Sequence, residues 1–328
     1  MEAYFDNAAT TKVFPEVKDL VIKLMEEDYG NPSSLHQKGL DAGHYIKETK
    51  EILAKEWKVD SKEIVLTSGG TESNNLALIG AALANKRSGN RIITSKVEHA
   101  SVSSTMAFLE SLGFEVVYLN VDHQGIVDLE QLEQEVNEDT ILVSVMYVNN
   151  EIGAVEPIQE IAEIIKEKNP KTLFHVDAIQ AFGKYHIYPK RMGIDLMSVS
   201  GHKIHGPKGT GALFIKNRTK VKPIIYGGGQ QDGMRSGTEN VPGFAGFGLA
   251  TKIVYEDLEA RIVRMRAVKD RLTERLKALP DVYINEGEAP HILSVSFVGV
   301  RSEVMLHALE EREIYVSSGS ACSSNKPA

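Results

Sequence analysis

The stretch "SVSGHKIHGPKGTGALFI" brings Ser200, His202 and Lys203 together just after an apolar run and just before a glycine-rich turn. A lysine leaving a strand beside a hydroxyl and an imidazole is suited to act as a Schiff-base nucleophile with a phosphate site next to it. The plain alternative is a surface lysine in a turn, since a catalytic lysine needs burial and neighbours. Gly201 and Gly206 match the glycine spacing of a P-loop, but Pro207 and Lys208 stand where Lys and Ser/Thr are required, which excludes one. His202 and His205 are three apart with no second pair at ligand spacing, so a metal site is not expected.

Three further stretches carry polar groups at the ends of apolar runs. "LTSGGTESNNLAL" puts Gly69, Gly70 and Thr71 at a strand-to-helix junction, where exposed amides and a hydroxyl bind an anion. Alternatively, Thr71 merely caps the helix. "FHVDAIQAFGK" puts Asp177 at the end of an apolar strand with Gln180 shortly after. A carboxylate there needs a hydrogen-bonding partner or a cation, and a protonated heterocyclic nitrogen would serve; a helix cap is the simpler reading. His99, in "SKVEHASV", is placed to stack on a flat ring or trade protons, or to be purely structural. Phosphate anchor, ring stacker, carboxylate and lysine fall after successive strands, where ligands of α/β folds gather. Together they describe a pyridoxal 5'-phosphate (PLP) site, in which the aspartate keeps the pyridine nitrogen protonated.

The elements that must hold these residues are an alternation of β-rich runs and helical stretches. "EIVLTS", "RIITS", "EVVYL", "TILVSVMYV", "TLFHVDA", "DLMSVS" and "GALFIK" read as strands, and residues 71–87 as a helix with Leu76, Ile79, Gly80, Leu83 and Ala84 on its buried face. The fold expected is α/β with a mainly parallel seven-stranded sheet flanked by helices. From Phe244 to Leu276 an apolar stripe predicts a long helix, kinked or straight, that stops before Pro280 and bridges to a smaller α+β unit. In that unit "HILSVSF", "SEVMLHALEER" and "EIYVSS" read as strand, helix and strand. The expected division is a large domain over residues 13–250 and a small domain from residues 1–12 with 251–328. The net charge of −8 argues against a general affinity for nucleic acid. No stretch has the length and apolarity of a membrane span, and the amino terminus does not look like an export signal. Cys322, the only cysteine, cannot form a disulfide within the chain, which suits a cytoplasmic protein.

The sequence resembles the cysteine desulfurases of the class V aminotransferase group, within PLP fold type I. The resemblance runs through "YFDNAATT", "GNPSSLH", "TSGGTESNNLA", "EH" at 98 and 99, "VNNEIG", "HVDAIQ", "SGHKIHGPKG", "GGGQQDGMRSGTEN" and "SSGSACSS". It implies that Lys203 carries PLP and moves the Cα proton, that His99 stacks on the ring, and that Asp177 pairs with the pyridine nitrogen. Gln180 is similarly implied at the ring oxygen, with Asn150 near the same edge. Gly70, Thr71, Ser200 and His202 are implied as phosphate ligands, Thr238 as a phosphate ligand donated by the other subunit of a homodimer, and Asn31 near the substrate carboxylate. Cys322, on a Ser/Gly-rich loop at about residues 317–328, looks like the acceptor of sulfur from L-cysteine. Relatives continue past that loop with the rest of the small domain and a carboxylate-binding arginine, which is expected to lie outside these 328 residues.

The implied activity converts L-cysteine to L-alanine and a persulfide on Cys322. The sulfur then passes to an acceptor such as an iron-sulfur scaffold, or into tRNA thiolation. Two other readings use parts of the same constellation. A selenocysteine lyase or another class V β-lyase needs the lysine, aspartate and histidine without the cysteine. A non-catalytic scaffold that binds a sulfur acceptor has no need of a cofactor site.

Overall fold

The computed structural model describes residues 2–319. In chain order its elements begin with β1 (Ala3–Tyr4), α1 (Pro15–Glu26), α2 (Gln37–Trp57), β2 (Ile64–Thr67), α3 (Gly70–Asn85), β3 (Arg91–Ser95), α4 (Ala100–Ser111) and β4 (Glu115–Leu119). They continue with α5 (Leu129–Glu135), β5 (Thr140–Met146), α6 (Ile158–Lys168), β6 (Leu173–Asp177), β7 (Leu196–Ser200) and β8 (Gly211–Ile215). Last come α7 (Val241–Glu256), α8 (Leu258–Lys277), β9 (Val282–Asn285), β10 (Ser294–Phe297), α9 (Ser302–Glu310) and β11 (Ile314–Tyr315).

Seven strands form one sheet in the order β2-β8-β7-β6-β5-β3-β4. β8 alone runs opposite to the other six strands, so the expected mainly parallel seven-stranded sheet is present. All seven residues of β5 are buried, as a strand covered on both faces requires. Alternate side chains go to opposite cores. Val65, Ile92, Leu142, Leu196 and Leu213 join α3 and α4 on one face. Their neighbours Leu66, Ile93, Val143, Met197 and Phe214 meet α1, α2, α6 and α7 on the other. The α6 helix buries Ile158, Ile161, Ala162 and Ile165, one stripe of helical spacing.

The apolar stripe beginning at Phe244 breaks at Asp257, whose φ of −128° and ψ of 25° separate α7 from α8. The period carries through the break, but the surroundings do not: α7 is buried on most sides, whereas Leu258 is the one fully buried residue of α8. Glycines let α7 press close. A Cβ on Gly246 would stand 2.9 Å from Val21 of α1, and one on Gly248 would stand 2.9 Å from Thr49 of α2. Thr49 Oγ1 donates to the Phe244 carbonyl at 3.0 Å across that contact.

Beyond α8, β9 and β10 pair antiparallel, and β11 pairs parallel with β1 through Ala3↔Ile314 and Tyr4↔Tyr315. The residues just after β1 return to the large sheet: the Thr11 amide and hydroxyl both donate to the His202 carbonyl at 2.9 Å.

Phe247 is fully buried, meets Phe182 edge-on at 6.1 Å, and lies against Gly201, where an added Cβ would come within 3.0 Å of its ring. Phe247→Ala should therefore destabilise the fold by about 3–5 kcal/mol. In urea unfolding the midpoint should fall while the slope stays unchanged.

Candidate active site

The strands β2, β6 and β7 are parallel to one another, so Ser68–Gly70, Asp177 and Ser200 all emerge at the same edge of the sheet. Gly69 turns the chain from β2 into α3 with a φ of +149°, a conformation that favours glycine. A Cβ on Gly70 would lie 2.1 Å from Ile179 Cδ1, so only glycine lets α3 start this close to the end of β6. A cavity of about 380 Å³ opens there, lined by Thr10, Gly70, Thr71, Ser200, His202 and Lys208, among others. Helix amides, hydroxyls, an imidazole and an ammonium make this a site for an anion. Glu72 also lines it, but its carboxylate is paired with Arg235 Nε at 2.8 Å. Burial, and then the charges of Lys203, Lys208 and Lys184, push His202 down to about 4, so it is neutral at pH 7. Its Nδ1 lies 3.2 Å from Thr10 Oγ1.

Lys203 sits on a single turn of 3-10 helix, Gly201–Lys203, directly after β7. Its amine donates to the carbonyls of Ala8 and, at 2.8 Å, Ala9. Gln180 Nε2 donates to the same Ala8 carbonyl at 2.9 Å, so the lysine and the glutamine share one acceptor. Gln180 Oε1 in turn lies 3.2 Å from His291 Nε2. Below the site, the buried amine of Lys184 donates to the Lys203 carbonyl at 2.6 Å. Burial, and then the charge of Lys203, push Lys184 down to about 7.

Asp177 closes β6 and is almost wholly buried. Its Oδ1 accepts from the Ile179 amide at 3.0 Å and its Oδ2 from Asn74 Nδ2 at 2.8 Å. Burial raises its pKa, opposed by those two hydrogen bonds and then by the nearby His99 and Lys203. A cation brought to this carboxylate would offset the cost of burying it. His99 is the N-cap of α4, with Nδ1 accepting from the Ser101 amide at 3.1 Å. The residue before it, Glu98, is half-buried with its carboxyl enclosed; its Oε1 accepts from the Met146 amide at 3.0 Å and from Ser95 Oγ at 2.6 Å. Burial raises Glu98 to about 8, aided by the charges of Asp177 and Glu156, so it is neutral at pH 7. Two residues earlier on β6, His175 bridges Ser144 Oγ at 2.8 Å and Ser198 Oγ at 3.0 Å, and burial keeps it neutral by lowering it to about 3.

Of the residues singled out in the sequence, Gly70, Thr71, Ser200 and His202 line the cavity, Lys203 and Gln180 meet at Ala8, and Asp177 and His99 are joined through Asn74 and Ser101. Asn150 lies in the turn after β5, where its neighbour Asn149 is the one that organises the loop, accepting from the Glu151 and Ile152 amides. Asn31 is exposed in the loop before α2, and its Oδ1 accepts from the Ser33 amide. Thr238 is exposed. Cys322 lies outside the described residues. Sequence reasoning did not single out Thr10, Asn74, Glu98, Ser101, Lys184 or His291. Only Asn74 left a usable signal: a polar side chain on the apolar face of α3, three residues past Thr71.

These residues fit PLP. The anion cradle suits a phosphate, the buried Asp177 carboxylate suits a protonated ring nitrogen, and the glycine junction leaves space that side chains would fill. Among the described residues there is no group of three or more His, Cys, Asp or Glu able to hold a metal ion, and no helix long and apolar enough to cross a membrane.

The sequence pattern of the aminotransferase class-V family matches residues 3–328. The chain is 44% identical over 328 residues to the protein named cysteine desulfurase IscS of Dictyoglomus turgidum, covering 99% of this chain and 83% of that one. It is 43% identical to the protein of the same name from Methanosarcina thermophila, covering 98% and 80%. A solved structure titled NifS-like protein superposes with a TM-score of 0.95 at 41% identity, covering 97% of this chain and 88% of that one.

Glu98, with its carboxyl enclosed, gives a test of the site's electrostatics. Unfolded, its carboxyl ionises near its ordinary value of 4.5; folded, it keeps its proton up to about 8. Its contribution to stability is therefore complete below about pH 4.5 and is lost as the pH rises to about 8. Glu98→Gln keeps the Oε1 acceptor and removes the titration. Urea unfolding at several values between pH 5 and pH 8 should show the wild type losing stability relative to Glu98→Gln as the pH rises.

Proposed function

The chain belongs to the aminotransferase class-V family and is a PLP-dependent cysteine desulfurase, and from that premise we propose how its residues divide the work. The observation that carries the assignment is the Ala8 carbonyl, which accepts from Lys203 and Gln180 together at the sheet edge where Asp177 and the anion cradle emerge.

In this reading, the amides at the start of α3 (Gly70 and Thr71), the Ser200 hydroxyl and neutral His202 hold the cofactor phosphate. Asp177 would pair, ionised, with the ring nitrogen, Gln180 would hold the ring oxygen with Asn150 near the same edge, and His99 would stack on the ring and exchange protons. Bound PLP supplies a protonated ring that accepts the electron pair left at the substrate Cα. Lys203 Nζ holds the cofactor, takes the Cα proton once freed, and returns a proton later. Asn31 receives the substrate carboxylate. The Cys322 thiolate attacks the substrate sulfur: the S–S bond forms, the C–S bond breaks, and its electron pair stays on carbon, which is protonated to give alanine. The sulfur then leaves Cys322 for an acceptor, an iron-sulfur scaffold or a tRNA-thiolating system.

We assign Thr238 to the phosphate of a second subunit in a homodimer; its exposure, on a chain whose own cradle is already furnished with donors, supports this. The pairing of β1 with β11 supports a small domain of residues 1–12 with 251–328 beside a large domain of 13–250. The single cysteine suits a cytoplasmic setting.

The test is the near-UV and visible spectrum of the PLP-loaded protein before and after L-cysteine. The wild type should show a band that shifts with L-cysteine, and Lys203→Ala should lose both the covalently held cofactor and turnover. Cys322→Ala should keep the band and its shift yet release no alanine and gain no extra sulfur by mass spectrometry. A Cys322→Ala protein that still turns over L-cysteine would exclude the persulfide route. Diluting the protein through its monomer–dimer range should weaken PLP binding in the wild type and less so in Thr238→Ala; a monomer with full cofactor affinity would exclude the Thr238 assignment.

A further inference from the structure

Asn74 is fully buried on α3 and directs its amide nitrogen two ways: Nδ2 donates to Asp177 Oδ2 at 2.8 Å and to Ser101 Oγ at 2.9 Å. An ionised carboxylate only accepts, so the amide must present its nitrogen on this side. Its Oδ1 is left buried without a partner among the described residues, the cost of that orientation. Ser101 Oγ, accepting from Asn74, has a single hydrogen to give, and His99 Nδ1 lies 2.8 Å away. The Ser101 amide donates to the same nitrogen at 3.1 Å, as the cap of α4. A ring nitrogen that accepts two hydrogen bonds carries no proton, so neutral His99 keeps its hydrogen on Nε2.

We propose that Asn74 and Ser101 are positioning residues that join Asp177 to His99, so that one buried amide holds the carboxylate in place and, through the serine hydroxyl, locks the imidazole as its Nε2–H tautomer. The inference rests on the roles proposed for Asp177 and His99 above and adds the device that couples them. It follows that Nε2 is the nitrogen through which His99 exchanges protons, while Nδ1 is reserved for orientation. The lock also senses the charge of Asp177. If Oδ2 carried a proton, it would favour the amide oxygen over the amide nitrogen, the Asn74–Ser101 bond would reverse, and the serine hydrogen would no longer be committed to His99.

Nitrogen-15 spectra of histidine-labelled protein read the tautomer directly, with or without PLP, with the His99 signal assigned from its loss in His99→Gln. The expected result is an Nε2–H pattern in the wild type and a displaced Nδ1 resonance in both Ser101→Ala and Asn74→Leu. The double variant should move the resonance no further than one single change does, because both cut the same chain. Ser101→Thr, which keeps the hydroxyl, should return the resonance and turnover together, whereas Ser101→Ala lowers kcat by on the order of tenfold with little change in KM. An Nδ1–H tautomer in the wild type, or additive displacements in the double variant, overturns the proposal. His99→Gln with undiminished kcat would instead overturn the proton-exchange role of His99, leaving the nitrogen result as it stands.

Discussion

The constraint on which the site depends is the burial of a carboxylate at the carboxyl end of a central strand. Asp177 closes β6 between β5 and β7, the most covered part of the sheet, where an isolated charge is costly. The fold answers with donors from two directions, the Ile179 amide from the chain just beyond β6 and Asn74 from α3. Because Asn74 reaches Asp177 only if α3 starts hard against the end of β6, the demand passes to the β2–α3 junction, where Gly69 and Gly70 meet it. The same junction leaves the first amides of α3 facing the cavity. One electrostatic requirement thus sets both the carboxylate's neighbours and the geometry of the anion cradle.

Lys203 is held by a different set of contacts, all of long range. The turn that carries it is pressed from below by Phe247 of α7 and tied to Lys184 through its own carbonyl, while its amine reaches the Ala8 and Ala9 carbonyls near the amino terminus. Thr11 closes that arrangement by bonding the His202 carbonyl and the His205 amide. Residues 8–11 therefore form part of the site's wall, although they follow β1, which pairs with β11 far along the chain. This links the path of the small α+β segment to the lysine by a few residues of backbone.

These two sets of contacts explain what the sequence could disclose. Strand ends followed by glycine, serine, histidine or aspartate are local patterns, so the sheet was legible from the sequence and these residues could be singled out at its strand ends, while their separate roles came from the family resemblance. The combination into a PLP site followed from the chemistry of the four types present. Asn74 acts through Ser101 and Asp177, 27 and 103 residues away, and Lys184 through Lys203, 19 away; apart from the polar Asn74 on the apolar face of α3, nothing local distinguishes them from helix-cap serines or surface lysines. The same holds for His291, which reaches Gln180 from the segment before β10. The break at Asp257 was equally hidden, because the apolar period runs through it unchanged and only the depth of burial differs.

The charges of the site are sorted by position. At one end, the Asp177 carboxyl is held by two donors that oppose the effect of its burial, with Glu98 nearby kept neutral by burial so that it adds no charge. At the other, burial and then the charges of Lys203, Lys208 and Lys184 keep His202 neutral, so the cradle's positive charge comes from Lys208 and the helix amides while the imidazole remains a hydrogen-bonding group. A ligand with a protonated ring nitrogen at one end and a phosphate at the other meets a complementary charge at each. A ligand bound the opposite way would put phosphate against Asp177 and a cation against Lys208 and the helix amides. In the proposed reading, charge favours one orientation of the cofactor, and the Ser101–Asn74 chain ties the His99 imidazole to the Asp177 carboxylate.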